Sequence, residues 1–344
     1  MGLFRRRSHG DTAVADRLDD LPGTLDELLA EITRLTASNR EHRDRETERR
    51  LLRLRHAAGI RLLEAPDGDG AYPEPDAAAL PAGPLPDIAR ADLTPGLLRA
   101  GILRDGCLLV RGLVDRADAV AFAREIDRAF AERDAYDAGR PAAPGYYEEF
   151  VPAEPFDVTV RPWIKQGGGI LAADSPKLAS RMLELFADAG LPDLVARYVG
   201  EAPVLSVHKT TLRKADPSVG GAWHQDGAFM GDARALNLWL SLSRCGDLAP
   251  GLDLVPRRLD EIVIEHESML DVEHTRAKAR EAAGDLEILR PIFEPGDALF
   301  FDEMFLHQTG SDASMPNPRF AIESWFFGAT GFPGDYAPLA VGRS

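Results

Sequence analysis

The stretch Trp223-His224-Gln225-Asp226-Gly227 decides how this chain is read. A histidine and an aspartate two residues apart lie there among small and aromatic residues. On a strand, positions i and i+2 face the same side, so an imidazole nitrogen and a carboxylate oxygen would converge on one point. A second, remote histidine would complete the 2-His-1-carboxylate face that binds Fe(II) and leaves positions open.

Eight histidines are available to supply it: His9, His42, His56, His208, His224, His266, His274 and His307. The first three lie in a polar N-terminal region and His266 and His274 in a charged insert, so a solvated position is expected for all five. His208 shares a strand register with Val204, Ser206 and Thr210, as a hydrogen-bonded core histidine or as a group facing a cavity. His307 is different. The turn Glu294-Pro295-Gly296-Asp297 and the strand Ala298-Leu299-Phe300-Phe301 precede it and would deliver it to a sheet interior. Thr309 lies two residues later and Arg319 twelve residues later. The order His-x-Asp, distal His, Arg is what a 2-oxoglutarate oxygenase needs. Two imidazoles and a carboxylate hold the metal. The arginine offers a charged fork to the far carboxylate of the co-substrate, and a hydroxyl such as that of Thr309 adds a bond. The competing reading makes both histidines core residues and Arg319 a surface ion-pair partner. It leaves Asp226 beside Trp223 and Phe229 with no cation close in sequence, a costly burial that a metal would relieve.

Composition narrows the remaining classes. Hydrophobic content of 44% and charged content of 28% over 344 residues describe an ordinary globular protein. No apolar run approaches the 18 residues of a membrane span, and no apolar core follows the basic start Met1 to Arg7, so a cytoplasmic protein without a membrane partner is expected. Cys107 and Cys245 sit in apolar runs and read as core residues rather than as a disulfide or metal pair. The net charge of −16 argues against nucleic acid as a partner.

Four regions follow from the pattern. Residues 1–63 form a charged helical arm, disordered over the first twenty. Its capping box Thr24-Leu25-Asp26-Glu27 opens an apolar stripe of Leu25, Leu28, Leu29, Ile32 and Leu35. The heptad register fails at Asn39 and His42, giving a hairpin or a long charged helix that pairs in a homodimer or docks on its own domain. Residues 64–90, with Pro66, Pro73, Pro75, Pro81, Pro84 and Pro86, read as a linker without helix or sheet. The catalytic region spans 91–335, and 336–344 is a tail. Within 91–335, helices are expected from Pro95, over 117–133, over 175–189 and in an insert at 268–284. Residues 136–173, rich in aromatics and glycine, read as a cover over the site with Gly167-Gly168-Gly169 as its flexible hinge. Strands are expected over 106–112, 204–212, 236–242, 252–256, 298–301 and 319–327. Short strands separated by turns point to an all-β core with flanking helices, α+β overall, closed as a sandwich or jelly roll.

At these residues the chain resembles the phytanoyl-CoA dioxygenase (PhyH-like) family of Fe(II)/2-oxoglutarate-dependent oxygenases, from about Leu93 to Phe327. Leu-Thr-Pro, Gly-Cys-Leu-Leu-Val-Arg-Gly-Leu, Trp-His-Gln-Asp-Gly and Leu-Asn-Leu-Trp-Leu-Ser-Leu carry the similarity. Pro-Gly-Asp-Ala-Leu-Phe-Phe-Asp, Leu-His-Gln-Thr-Gly and Pro-Arg-Phe-Ala-Ile-Glu-Ser-Trp complete it. The resemblance implies a cupin-like double-stranded β-helix with His224, Asp226 and His307 as iron ligands and Arg319, assisted by Thr309, as the anchor for 2-oxoglutarate. Lys209 and Thr211, on the strand before the metal motif, are further contacts it suggests, with Trp239 lining the same pocket and no catalytic residue beyond the metal centre. It implies a dioxygenase that consumes O2 and 2-oxoglutarate, releases succinate and CO2, and hydroxylates a small organic substrate. Asp226 argues against a halogenase, which needs that ligand position free. The chain departs from many relatives at Val255-Pro256-Arg257-Arg258, where they carry Pro-Gly-Ser-His, so no substrate is carried over. A cupin-like metalloenzyme of another type, or a catalytically silent metal- or ligand-binding protein, is the alternative.

Overall fold

The computed structural model describes residues 23–342 apart from Asp69, Val219, Asp232 and Met269. The disordered stretch expected over residues 1–20, and His9 with it, lies outside them.

The arm is a helical hairpin of α1 (Leu25–Glu41) and α2 (Arg45–Glu64). Thr24 and Glu27 form the capping box, and Asp44 caps α2 by accepting from the Thr47 amide. Asn39, which spoils the heptad, is buried because its side-chain oxygen accepts from the Asp44 amide at 3.1 Å and fixes the bend. The stripe of Leu28, Ile32 and Leu35 packs with Leu51, Leu54, Ala58 and Leu62 onto Val204 and Ala340 of the same chain. Burial within the chain therefore consumes the apolar face.

The body continues with β1 (Asp87–Ala89), α3 (Pro95–Asp105), β2 (Cys107–Arg111), α4 (Arg116–Asp137), α5 (Arg161–Gln166), β3 (Gly169–Leu171), α6 (Pro176–Asp188) and α7 (Leu191–Val199). After these come β4 (Pro203–Ala215), α8 (Gly227–Met230), β5 (Ala235–Ser241), β6 (Gly251–Leu254), α9 (Val272–Ala283), β7 (Ala298–Phe301), β8 (His307–Gly310), β9 (Arg319–Gly328) and β10 (Pro338–Ala340). The large sheet runs β1-β2-β7-β5-β9-β4-β10, with β3 also on β4, and β6 pairs β8 in a small second sheet. The result is the double-stranded β-helix, with helices on the outer face of the large sheet. Period-two alternation divides its strands. Leu236, Leu238 and Leu240 pack outward with the helices, while Trp239, Phe301 and Trp325 share the interior with residues of the small sheet.

Three expectations are corrected. The linker is not free of sheet, because Asp87–Ala89 pairs parallel with Leu109, Val110 and Arg111. The segment 336–344, read only as a tail, carries a strand of the large sheet, for Pro338–Ala340 pairs antiparallel with Ser206, Leu205 and Val204. The triple glycine is not a hinge: Gly169 begins β3, and Gly168, at φ +70°, accepts from the Lys214 amide at 2.8 Å. A Cβ on Gly168 would lie 2.6 Å from the Lys214 carbonyl oxygen, so glycine is needed there for a close backbone approach.

Candidate metal centre

His224 and His307 exchange backbone hydrogen bonds at 3.0 and 3.1 Å, so the segment before α8 lies against β8. Asp226, however, is not on a strand. Its backbone is helical, at φ −64° and ψ −23°, and it opens α8. The convergence of the pair therefore comes from a strand end turning into a helix, not from strand alternation. Between them, Gln225 is fully buried. Its amide donates to the carbonyls of Glu261 and Met304, both at 2.9 Å, and its oxygen accepts from the Val263 amide at 2.8 Å. It stitches the metal loop to the 261–263 segment and to Met304 ahead of β8, a role that sequence reasoning missed.

One ligand atom each from His224, Asp226 and His307 lie within 4.8 Å of one another, the sole such grouping among the described residues. Nδ1 of His224 is 2.9 Å from the Ala222 carbonyl and Nδ1 of His307 is 3.0 Å from that of Phe305. Both rings thus spend Nδ1 as a donor and keep the Nε2 lone pair free, the usual way a ligating imidazole is fixed. Asp226 Oδ2, 3.9 Å from His307 Nε2, is buried and has no hydrogen-bond partner among the described residues. A buried carboxylate oxygen without a partner is expensive, and a cation would satisfy it. The donor set fits Fe(II).

Charge prepares the same forms. Burial alone would raise the Asp226 carboxyl, but the Lys209 ammonium and the two imidazoles outweigh it and hold the acid well below its usual range. Burial, helped by His224, lowers His307 to about 4, so it is neutral at ordinary pH. Lys209 Nζ stands 3.0 Å from Asp226 Oδ1. The cation that seemed missing beside Asp226 comes from β4, across the barrel. Lys209 thus approaches the metal ligand, and Thr211 donates to Glu323 at 3.4 Å.

Arg319 is buried at the start of β9. Its Nη1 donates to the Gly251 carbonyl at 2.9 Å, its Nε has no partner among the described residues, and its guanidinium lies 5.4 Å from the Trp239 ring centre. Burial lowers its pKa to about 10, which leaves it charged at neutral pH. Thr309 shares a face of β8 with His307. Two residues were not foreseen. Asn237 and Trp325 are register partners on β5 and β9, both fully buried, and the Asn237 amide and Trp325 Nε1 have no partners among the described residues. They face inward, for Trp325 meets Phe301 and Phe301 meets the His307 ring at 4.8 Å.

Among the other histidines, His42 and His274 are exposed as expected. His266 is exposed too, but its ring meets Phe229 edge-on at 4.9 Å, and Phe229 in turn meets His224 at 6.5 Å. His56 is not solvated at all: it is 2% exposed, because Phe150 and Phe156 fold over it. His208 is a buried, hydrogen-bonded histidine stacked on Tyr336.

Among solved structures, the chain is similar to EctD from S. alaskensis with 2-oxoglutarate and 5-hydroxyectoine, at 18% identity and a TM-score of 0.49 over 78% of this chain and 88% of that one. It is also similar to SnoK, a non-heme alpha ketoglutarate dependent carbocyclase from nogalamycin biosynthesis (16%, 0.46, 70% and 86%). A third is AviO1 from Streptomyces viridochromogenes Tue57 (19%, 0.42, 67% and 93%). No curated protein matches. Residues 102–320 match the family Phytanoyl-CoA dioxygenase (PhyH), well over half of the chain. The chain belongs to that family and is an Fe(II)- and 2-oxoglutarate-dependent dioxygenase.

Proposed function

We propose that His224, Asp226 and His307 hold the Fe(II), that Arg319 and Thr309 hold the far carboxylate of 2-oxoglutarate, and that the enzyme hydroxylates a small organic substrate. The observation that carries this reading is the buried Asp226 Oδ2, without a partner among the described residues and set between the two imidazoles, with a buried arginine at a suitable remove. Along the small sheet, Gly251 pairs Gly310 and Leu254 pairs His307. The Arg319 head on Gly251 thus lies three residues from the metal ligand, about 10 Å at roughly 3.3 Å per residue. That span suits a five-carbon diacid chelating a metal at one end. Arg319 Nε is a donor awaiting an acceptor, and a guanidinium–carboxylate pair is charge-assisted.

Iron, oxygen and 2-oxoglutarate supply the oxidising chemistry when bound, with succinate and CO2 released. The chain's own residues orient and shield. Lys209 keeps Asp226 ionised and fixed, and the Ala222 and Phe305 carbonyls aim the two imidazoles. Trp239 walls the co-substrate channel beside Arg319. Thr211, tied to Glu323, stands on the same face of β4 as Lys209, and Asn237 and Trp325 offer further donors near the metal's end. Phe229, His266 and Tyr336 give the substrate an aromatic rim. A cytoplasmic location stays part of this reading, and the two free, buried thiols suit a reducing compartment. A homodimer through α1 and α2 would have to use their charged outer faces. No described helix is long and apolar enough to cross a membrane.

The test is anaerobic titration of the purified protein with Fe(II) and then 2-oxoglutarate, followed by visible absorption. A charge-transfer band that forms in the wild type and vanishes in His307→Ala is expected. A folded wild type that gives no band refutes the reading.

A further inference from the structure

We propose that His56 and His208 are positioning residues, two latches that pin the cover segment to the C-terminal segment beside the metal centre. His56 belongs to α2. Its Nδ1 lies 2.8 Å from the Pro338 carbonyl, and its Nε2 accepts from the Ala153 amide at 3.0 Å. His208 belongs to β4. Its Nδ1 accepts from the Ala337 amide at 3.3 Å, its ring stacks on Tyr336 at 4.8 Å, and Asp157 of the cover segment acts on it electrostatically. His56 therefore bonds one residue of each segment, Ala153 and Pro338, while His208 bonds Ala337 and faces Asp157. A ring nitrogen that accepts a hydrogen bond carries no proton, so both latches close only with neutral rings.

The pinned segments reach the site. Tyr336 packs against the interior cluster that also holds Phe229, and its hydroxyl lies within the influence of Lys209 and Asp226. α2 fastens the same two segments by other means. Arg45 and Arg49 pair with Glu148 at 3.0 and 3.4 Å, and Arg55 donates to the Ala340 and Val341 carbonyls at 3.0 and 2.5 Å. α2 lies outside the residues that match the family. His56 is faced by the Phe150 and Phe156 rings and by backbone, with Arg55 beside it in sequence. His208 is faced by Asp157, Asp335 and Arg161, beside Lys209 and Tyr336. The inference depends on the proposed function only in treating these segments as walls of the chamber.

Hydrogen exchange of the full-length protein tests it without iron or co-substrate, so it can fail while the metal reading stands. In His56→Phe and in His208→Phe, peptides covering 146–157 and 336–341 should exchange about tenfold faster, together, with the rest of the barrel unchanged, as expected for one lost buried bond. His56→Gln, which keeps a donor and an acceptor, should restore most of the protection. Both Phe variants should still form the anaerobic Fe(II)–2-oxoglutarate band. Loosening of one segment alone, loosening of the whole barrel, loss of the band, or a Gln variant no better than Phe would overturn the proposal.

Discussion

Lys209, half-buried, and Arg319, fully buried, are two cations in one barrel with different duties, and removing each should separate them. Lys209→Met leaves the buried Asp226 uncompensated, and because Lys209 is itself partly exposed the cost falls below the roughly 3–5 kcal/mol of a fully buried pair. Metal-free protein should therefore unfold at lower denaturant, and saturating Fe(II) should recover much of the loss. Equal destabilisation with and without Fe(II) would show that Lys209 does not serve Asp226. Arg319→Leu should instead weaken 2-oxoglutarate by about 10- to 100-fold, the range of a lost charged hydrogen bond, with Fe(II) affinity unchanged. Calorimetric titration of each ligand reads both. The sequence exposes the ligand pattern because two of its members are neighbours and the others follow in fixed order. The pairing of Lys209 with Asp226 escapes, because the two meet only once β4 lies across the barrel. Asn237 and Trp325 escape for the same reason: each looks like an ordinary strand residue until register makes them partners.

The strands and helices with clear periodicity are legible beforehand, while the short ones are not. Three residues such as Asp87–Ala89 or Pro338–Ala340 carry too little alternation to register as strands, and only a waiting edge beside β2 or β4 makes them so. The hairpin shows the opposite case, a periodic stripe whose destination the sequence leaves open. Its destination is the chain's own sheet, so Leu54→Ala, at a fully buried α2 position, should cost about 2–5 kcal/mol and lower the midpoint of a single unfolding transition. A separate early transition, with the barrel's midpoint unchanged, would mean that the hairpin is an independent appendage.

At the scale of the whole molecule, acid should act through the two buried latches. Burial lowers the pKa of both His56 and His208 below the ordinary histidine value. The unfolded chain, with histidines near 6.5, then binds more protons than the folded one below that pH. Their contribution is complete above about 6.5 and is lost as the pH falls below it. Urea unfolding at pH 7.5 and 5.5 should show this loss, and the double variant His56→Phe, His208→Phe should lose less stability between those conditions. An identical loss in the double variant would assign the acid sensitivity to other groups.

The seating of α2 on β10 has a consequence for synthesis. On the ribosome, residues 25–64 emerge well before the strand they pack against, Pro338–Ala340. Over the synthesis of the residues between them, the hairpin's leucines lack this part of their final surface, and the barrel cannot finish its edge. A nascent chain of this kind leans on chaperones until that strand arrives.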